Sequence, residues 1–191
     1  WMPYYLENYL DGMDQWQAYE RFGMDLVIYN SVSCVFDEKD KANWVIETSP
    51  PKFENGAAHY EETITTPAGQ LHRKYATNEY TTFDTEHLIK TKQDFDIFNR
   101  YWPVPVSVDA AGVHADKERL GDKGIMRTYQ IAYYYGQGSP WQCLCFLMGT
   151  EPSIMAAMDD AAWVHDVLES LLEKSLKVIS LSREVRTDLI E

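Results

Sequence analysis

The chain has 191 residues, 45% of them hydrophobic and 14% aromatic, which is enough to fill a sizeable core and excludes disorder as the default. A formal charge of −13 excludes a phosphate backbone or an anionic membrane as the natural partner, because counterion release needs a basic face. No run approaches the roughly 18 apolar residues that span a bilayer, and Trp1-Met2-Pro3-Tyr4-Tyr5 lacks the basic and apolar regions of a signal peptide. Cys34, Cys143 and Cys145 suit a reducing compartment better than a disulfide framework. The expectation is a cytoplasmic protein with neither nucleic acid nor membrane among its partners, and the absence of an initiator Met at residue 1 predicts an excised piece.

From Tyr4 to Arg21, Tyr5, Tyr9, Met13, Trp16 and Ala18 or Tyr19 recur at helical spacing, and Gly23 stops the pattern, so one or two helices are predicted. Asp25 to Asn30 is a short apolar run after a glycine, the pattern of a strand buried on both faces in a parallel sheet. Residues 43–82 change character: Trp44 to Thr48, Tyr60 to Thr65 and Leu71 to Thr77 are β-branched and aromatic, and predict antiparallel strands. Thr66-Pro67-Ala68-Gly69 supplies the turn between the last two.

Asp84 or Thr85 is read as the cap of a helix running through Leu88 and Ile89 to Tyr101 and stopping before Pro103. A helix from Asp109 to Gly121 and a strand from Ile125 to Tyr134 follow. Beyond the loop Gly136 to Pro140, Thr150 is read as the cap of a short helix and Asp159 or Asp160 as that of a long one. The long helix places Val164, Val167, Leu168, Leu171, Leu172, Leu176 and Ile179 on one face. Strands alternating with helices give an α/β chain, taken as a single domain over 1–191 with the 43–82 hairpin region as an insertion.

Three segments carry a resemblance. Glu20-Arg21-Phe22-Gly23-Met24-Asp25 leads into the first strand, and Thr65-Thr66-Pro67-Ala68-Gly69-Gln70-Leu71 precedes Ile89-Lys90-Thr91-Lys92-Gln93-Asp94-Phe95 and a Trp-Pro. Gly138-Ser139-Pro140-Trp141 then leads to Phe146-Leu147-Met148-Gly149-Thr150-Glu151, with Asp159-Asp160-Ala161-Ala162-Trp163-Val164 after it. Together they resemble the uroporphyrinogen decarboxylase superfamily, nearer its corrinoid-dependent methyltransferase branch. The resemblance covers about Glu20 to Ile179 and implies the N-terminal part of a (β/α)8 TIM barrel.

It further implies a small methylated donor, a corrinoid (cobalamin) on a partner protein, and zinc held by a His and two Cys in a C-terminal half not present here. Asn30-Ser31-Val32 stands where the true decarboxylases carry Phe-Ser-Asp, and Phe146 stands where a tyrosine is expected, so decarboxylation is the lesser expectation. A non-catalytic fragment is the third, with self-association through unpaired sheet edges or pairing with the missing half.

In such a barrel the site lies at the carboxyl ends of the strands, which nominates Asn30, Ser31, Gln137, Trp141 and Gln142 as substrate-binding residues. The alternative for Asn30 is a turn former bonding its own backbone, and Trp141, which could stack on a donor or the corrinoid, reads sooner as core packing. Cys143 and Cys145 stand on opposite faces of an extended segment, or about 200 degrees apart on a helix, and do not share one zinc easily, so both read as small buried hydrophobes. His59, His72, His87, His114 and His165 lack metal-binding spacing, Glu61-Glu62 and Asp159-Asp160 do not read as catalytic dyads, and no nucleotide loop is present.

Overall fold

The computed structural model describes residues 3–128 and 139–190, and it is a mixed α/β structure. The chain divides into two compact units: the first takes Trp1–Cys34, Val108–Ile131 and Leu181–Glu191, and the second Val35–Ser107 and Ala132–Ser180. The strands Ser33–Phe36 (β2) and Pro105–Asp109 (β8) pair in a two-stranded sheet, and the division runs through both of them.

The first unit begins with helices α1 (Pro3–Tyr9) and α2 (Gln15–Phe22). Asp14 opens α2 with a reciprocal cap, accepting from Gln17 N at 2.8 Å while Gln17 Oε1 accepts from Asp14 N at 3.0 Å. Gly23 closes it at φ 61, a left-handed conformation that costs glycine little. Three parallel strands follow, Leu26–Asn30 (β1), Gly124–Thr128 (β9) and Leu189–Ile190 (β10), ordered β1-β9-β10 with Leu26 beside Gly124 and Leu189 beside Arg127. Sequence-consecutive members of this sheet are thus neighbours in space.

Helix α5 (Ala111–Leu120) packs on β1 and β9, and α2 packs on β1. They cover one face, where Leu26, Ile28 and Met126 join Val113, Leu120, Ala110 and Val185 in a core. On the opposite face Tyr29 is 37%, Ile125 45% and Leu189 43% exposed, and no described helix covers these positions as α2 and α5 cover the other side. This corrects the expectation that the first strand is buried on both faces: α2 and α5 cover one side of the sheet, so alternate residues of β1 stay accessible.

The second unit is built on a five-stranded antiparallel sheet in which Val45–Thr48 (β3), Ala57–Thr66 (β5), Gly69–Thr77 (β6) and Thr82–Glu86 (β7) lie side by side, and Lys52–Glu54 (β4) also pairs with β5. The β5–β6 hairpin closes at Thr66 beside Gly69, with Thr66 Oγ1 donating to Gly69 O at 2.8 Å and accepting from Ala68 N at 3.2 Å. The region read as a hairpin insertion is therefore a whole sheet.

Thr82–Glu86 corrects the expectation of a helix capped at Asp84 or Thr85. Pairing with β6 satisfies this backbone first, with an irregularity at Lys74/Tyr75. Helix α4 (Lys92–Tyr101) starts one turn later from Thr91, which accepts from Asp94 N while Asp94 accepts from Thr91 N at 2.8 Å. Helices α6 (Pro140–Met148), α7 (Thr150–Asp159) and α8 (Ala161–Leu181) complete the unit, together with α3 (Glu38–Ala42).

Asp160 caps α8, accepting from Trp163 N at 3.1 Å, whereas Thr150 is the first residue of α7 and Gly149 its cap. Ile64, Leu71, Phe95, Phe98, Leu144, Leu147, Val164, Val167 and Leu171 form the core. On α8 the buried line is Val164, Val167, Leu171 and Val178, while Leu172, Leu176 and Ile179 are exposed. Seven apolar residues make a stripe wider than a single helix contact, so its flank stays in solvent. No closed barrel forms among the described residues, and no described helix is long and apolar enough to cross a membrane.

Candidate functional site

The carboxyl ends of β1 and β9 carry the densest polar chemistry of the first unit. Asn30 ends β1 on the helix-covered face, opposite Thr128. Its Nδ2 donates to Asp116 Oδ2 at 2.6 Å, and its Oδ1 accepts from Ser31 N at 2.7 Å. The second bond is the turn-forming behaviour available to any asparagine, and the first ties β1 to α5. Ser31 lies exposed just past the strand.

Thr128 is buried and bonds Thr187 at 2.9 Å through the two hydroxyls, and Thr187 Oγ1 reaches Met126 O at 2.9 Å. Asp188 accepts from Met126 N at 2.8 Å and pairs with Lys117. The Lys117 ammonium, and after it the Met126 N–H, holds the Asp188 carboxyl below the usual carboxylate range. These bonds fasten β10 to β9.

On the open face, Tyr29 and Arg127 are register partners, and the Arg127 guanidinium carbon lies 4.3 Å from the centre of the Tyr29 ring. Sequence reasoning missed both residues. The signal was the alternation itself: once Leu26 and Ile28 face the core, Val27 and Tyr29 face away from it.

Trp141 and Gln142 belong to the second unit, whereas Asn30 and Ser31 belong to the first, and Gln137 lies outside the described residues. Trp141 occupies the first turn of α6 and is 37% exposed. With Ser139, Pro140, His165, Leu168, Glu169 and Leu172 it lines a shallow, largely apolar cavity of about 280 Å³. Gln142 is half-buried in the same helix. The tyrosines 133–135, read as a dense strand end, also fall outside the described residues.

A charged network that spacing did not reveal crosses the antiparallel sheet. Arg73 grips Glu62 with two bonds, Nε to Oε1 at 2.7 Å and Nη2 to Oε2 at 3.0 Å, and reaches Asp84 at 3.9 Å. Burial pushes the Asp84 carboxyl up, against the opposing pull of Arg73 and His87. His87 Nδ1 lies 3.0 Å from Phe146 O and Ile89 N donates to Leu147 O at 2.9 Å, so the residues after β7 satisfy two of the carbonyls at the end of α6.

Cys143 is buried and its thiol is pushed up to about 12, which makes it a packing residue rather than a nucleophile. Burial also raises the Cys34 thiol. Among the described residues no three His, Cys, Asp or Glu side chains converge as a metal ion would require. Comparison of the chain with protein-family models, with curated proteins and with solved structures gives no match.

Proposed function

We propose that this chain is the N-terminal part of a (β/α)8-barrel enzyme of the uroporphyrinogen decarboxylase-like superfamily, and that the enzyme moves a methyl group from a small methylated donor to a corrinoid carried by a partner protein. The observation that carries the reading is the parallel sheet. Its three strands run in chain order with helices on one face, the arrangement of a barrel wall, whereas a doubly wound sheet has helices on both faces and reverses its order. The open face is apolar at Ile125 and Leu189, and parallel sheets are stable when both faces are covered, so closure of a barrel would supply what this sheet lacks.

In this reading the donor lies at the carboxyl ends of the strands, near Tyr29, Ser31 and Arg127. The corrinoid supplies the methyl-accepting metal when bound. The protein's share is to hold the donor and to keep water from the reacting carbon. Among the described residues no three His, Cys, Asp or Glu side chains converge, and the reading assigns the metal that the resemblance implies to ligands beyond them. Asn30 acts as a strut to Asp116 and Ser31 as an accessible hydroxyl at the mouth.

The test is the visible spectrum of cob(I)alamin mixed with the protein, its metal and a panel of methyl ethers, methylamines and betaines. Conversion to methylcobalamin with one donor is the expected result. No conversion with any donor, with the corrinoid protein supplied, moves the reading to a decarboxylase or to a binding module.

A further inference from the structure

Residues Ser139 to Glu173 contain six carboxylates and no lysine or arginine. Helices α6 and α7 and most of α8 are built from this stretch, and the cavity that α6 and α8 line has no lysine or arginine in its wall. Glu169 stands in that wall, and its partner among the described residues is His165 at 3.8 Å, an imidazole that is charged only when protonated. Trp141 stands there too. Trp16 carries Arg119 over its ring at 4.1 Å, Trp163 carries Lys92 at 5.3 Å, and Trp44 and Trp102 pack edge to face at 5.1 Å. Trp141 is the remaining described tryptophan, and among the described residues its ring has neither a cation nor an aromatic neighbour of this kind.

An indole and a carboxylate in one wall both attract a cation, the ring through its quadrupole and the carboxylate through its charge. Pro140, Leu168 and Leu172 add apolar surface, which suits a hydrocarbon body. A space of about 280 Å³ takes a ligand of roughly ten non-hydrogen atoms. The formal charge of −13 draws cations toward the chain and repels anions.

We infer that the cavity between α6 and α8 binds a small organic ammonium ion with an apolar body. Glu169 and the Trp141 ring hold the charged end, and Pro140, Leu168 and Leu172 take the hydrocarbon. All the lining residues belong to the second unit, and the inference does not rest on the methyl-transfer reading, which places its donor at the strand ends of the first.

The experiment is calorimetric titration of the protein at about pH 8, where an ordinary imidazole is neutral. The probes are 2-phenylethylammonium, 2-phenylethanol, phenylacetate and methylammonium. The alcohol keeps the shape without the charge, phenylacetate reverses the charge, and methylammonium keeps the charge without the hydrocarbon. 2-Phenylethylammonium is expected to bind at least about tenfold more tightly than each of the others, the ratio that a charged hydrogen bond supplies. Glu169→Gln should abolish the preference for the ammonium over the alcohol, and Trp141→Leu should weaken the ammonium at least about threefold. The Glu169 side chain is 63% exposed, so E169Q should keep the wild-type circular dichroism spectrum.

Equal binding of ammonium and alcohol by the wild type overturns the inference without recourse to any variant. So does methylammonium bound as tightly as the aryl ammonium, which reduces the effect to surface charge. Wild-type ammonium affinity in folded E169Q or W141L, a preference for phenylacetate, or no binding of the ammonium by the folded protein also overturns it. None of these results bears on methyl transfer, which is read separately from the cob(I)alamin spectrum.

Discussion

Gly124 and Leu26 show how tightly one residue can set a strand pair. A methyl group added at Gly124 would lie 2.0 Å from the Leu26 carbonyl oxygen, a distance that only movement of the backbone relieves. Gly124→Ala is therefore expected to cost about 1–3 kcal/mol, as overpacking does, and a urea midpoint equal to that of the wild type would refute the close approach. Glu62 and Arg73 make the opposite case, a pair whose side chains are 7% and 17% exposed. Glu62→Ala removes both close carboxylate acceptors of the guanidinium and should destabilise by about 3 kcal/mol in the same assay.

Asp84 carries a pH signature of its own. Its folded-state carboxyl titrates above the unfolded value, chiefly because burial disfavours the charge, so the folded state holds the proton more tightly. The associated stability is present below the ordinary Asp range and is lost as pH rises through the raised value. Asp84→Asn should lose less stability than the wild type across that window, so the gap in favour of the variant should widen as pH rises from about 4 toward neutrality. Denaturation at a series of pH values measures it, and parallel curves would count against the raised carboxyl. Neither Gly124 nor the Glu62 and Arg73 pair announces its role in sequence, since Gly124 matters through its approach to Leu26, about 100 residues earlier, and Glu62 and Arg73 are adjacent only through the hairpin register.

Elements were legible where local chemistry and tertiary context agree. Thr66-Pro67-Ala68-Gly69 specified its hairpin because the turn and the β-branched flanks point the same way, and Asp160 specified the start of α8 because a short acceptor there meets an unbonded N–H. Asp84 and Thr85 misled, since a good cap residue is also tolerated in a strand when a neighbour such as β6 offers the backbone a ladder. Helix α6 left no periodic signal, because Trp141, Cys143, Leu144, Phe146 and Leu147 are apolar on nearly every side. The cap of α4 is the element whose contribution is simplest to isolate. Thr91→Ala removes the acceptor for Asp94 N while leaving Phe95 and Phe98 in the core, so a loss of about 1 kcal/mol is expected. Recovery of most of it in Thr91→Ser would assign the loss to the hydroxyl.

For the whole molecule, the sequence indicated the α/β class and left the division into two compact units unread, since Val35–Ser107 and Ala132–Ser180 are separated by residues of the other unit and no linker composition marks the passage. Of the candidate residues, Asn30 and Ser31 were nominated from the end of the first strand, and the pleat, which the sequence shows only once the covered face is known, puts Asn30 on the helix-covered face and Tyr29 on the other. An uncovered parallel face and edge strands β1 and β10, each with one side unpaired among the described residues, favour association. Sedimentation velocity should show a weight-average mass that rises with concentration, and a compact monomer at every concentration would contradict this.

The two kinds of sheet also imply an order of events in time. Strands β5 and β6 are joined by a two-residue turn, so their pairing closes a minimal loop, whereas Leu26 must find Gly124 across the whole intervening chain before β1 and β9 can meet. Loop closure is slower and costs more entropy as the separation grows. During refolding, amides of Thr63 to Ile64 and Leu71 to His72 should acquire exchange protection before those of Met126 and Ile28, with the antiparallel sheet formed while the parallel one is still assembling.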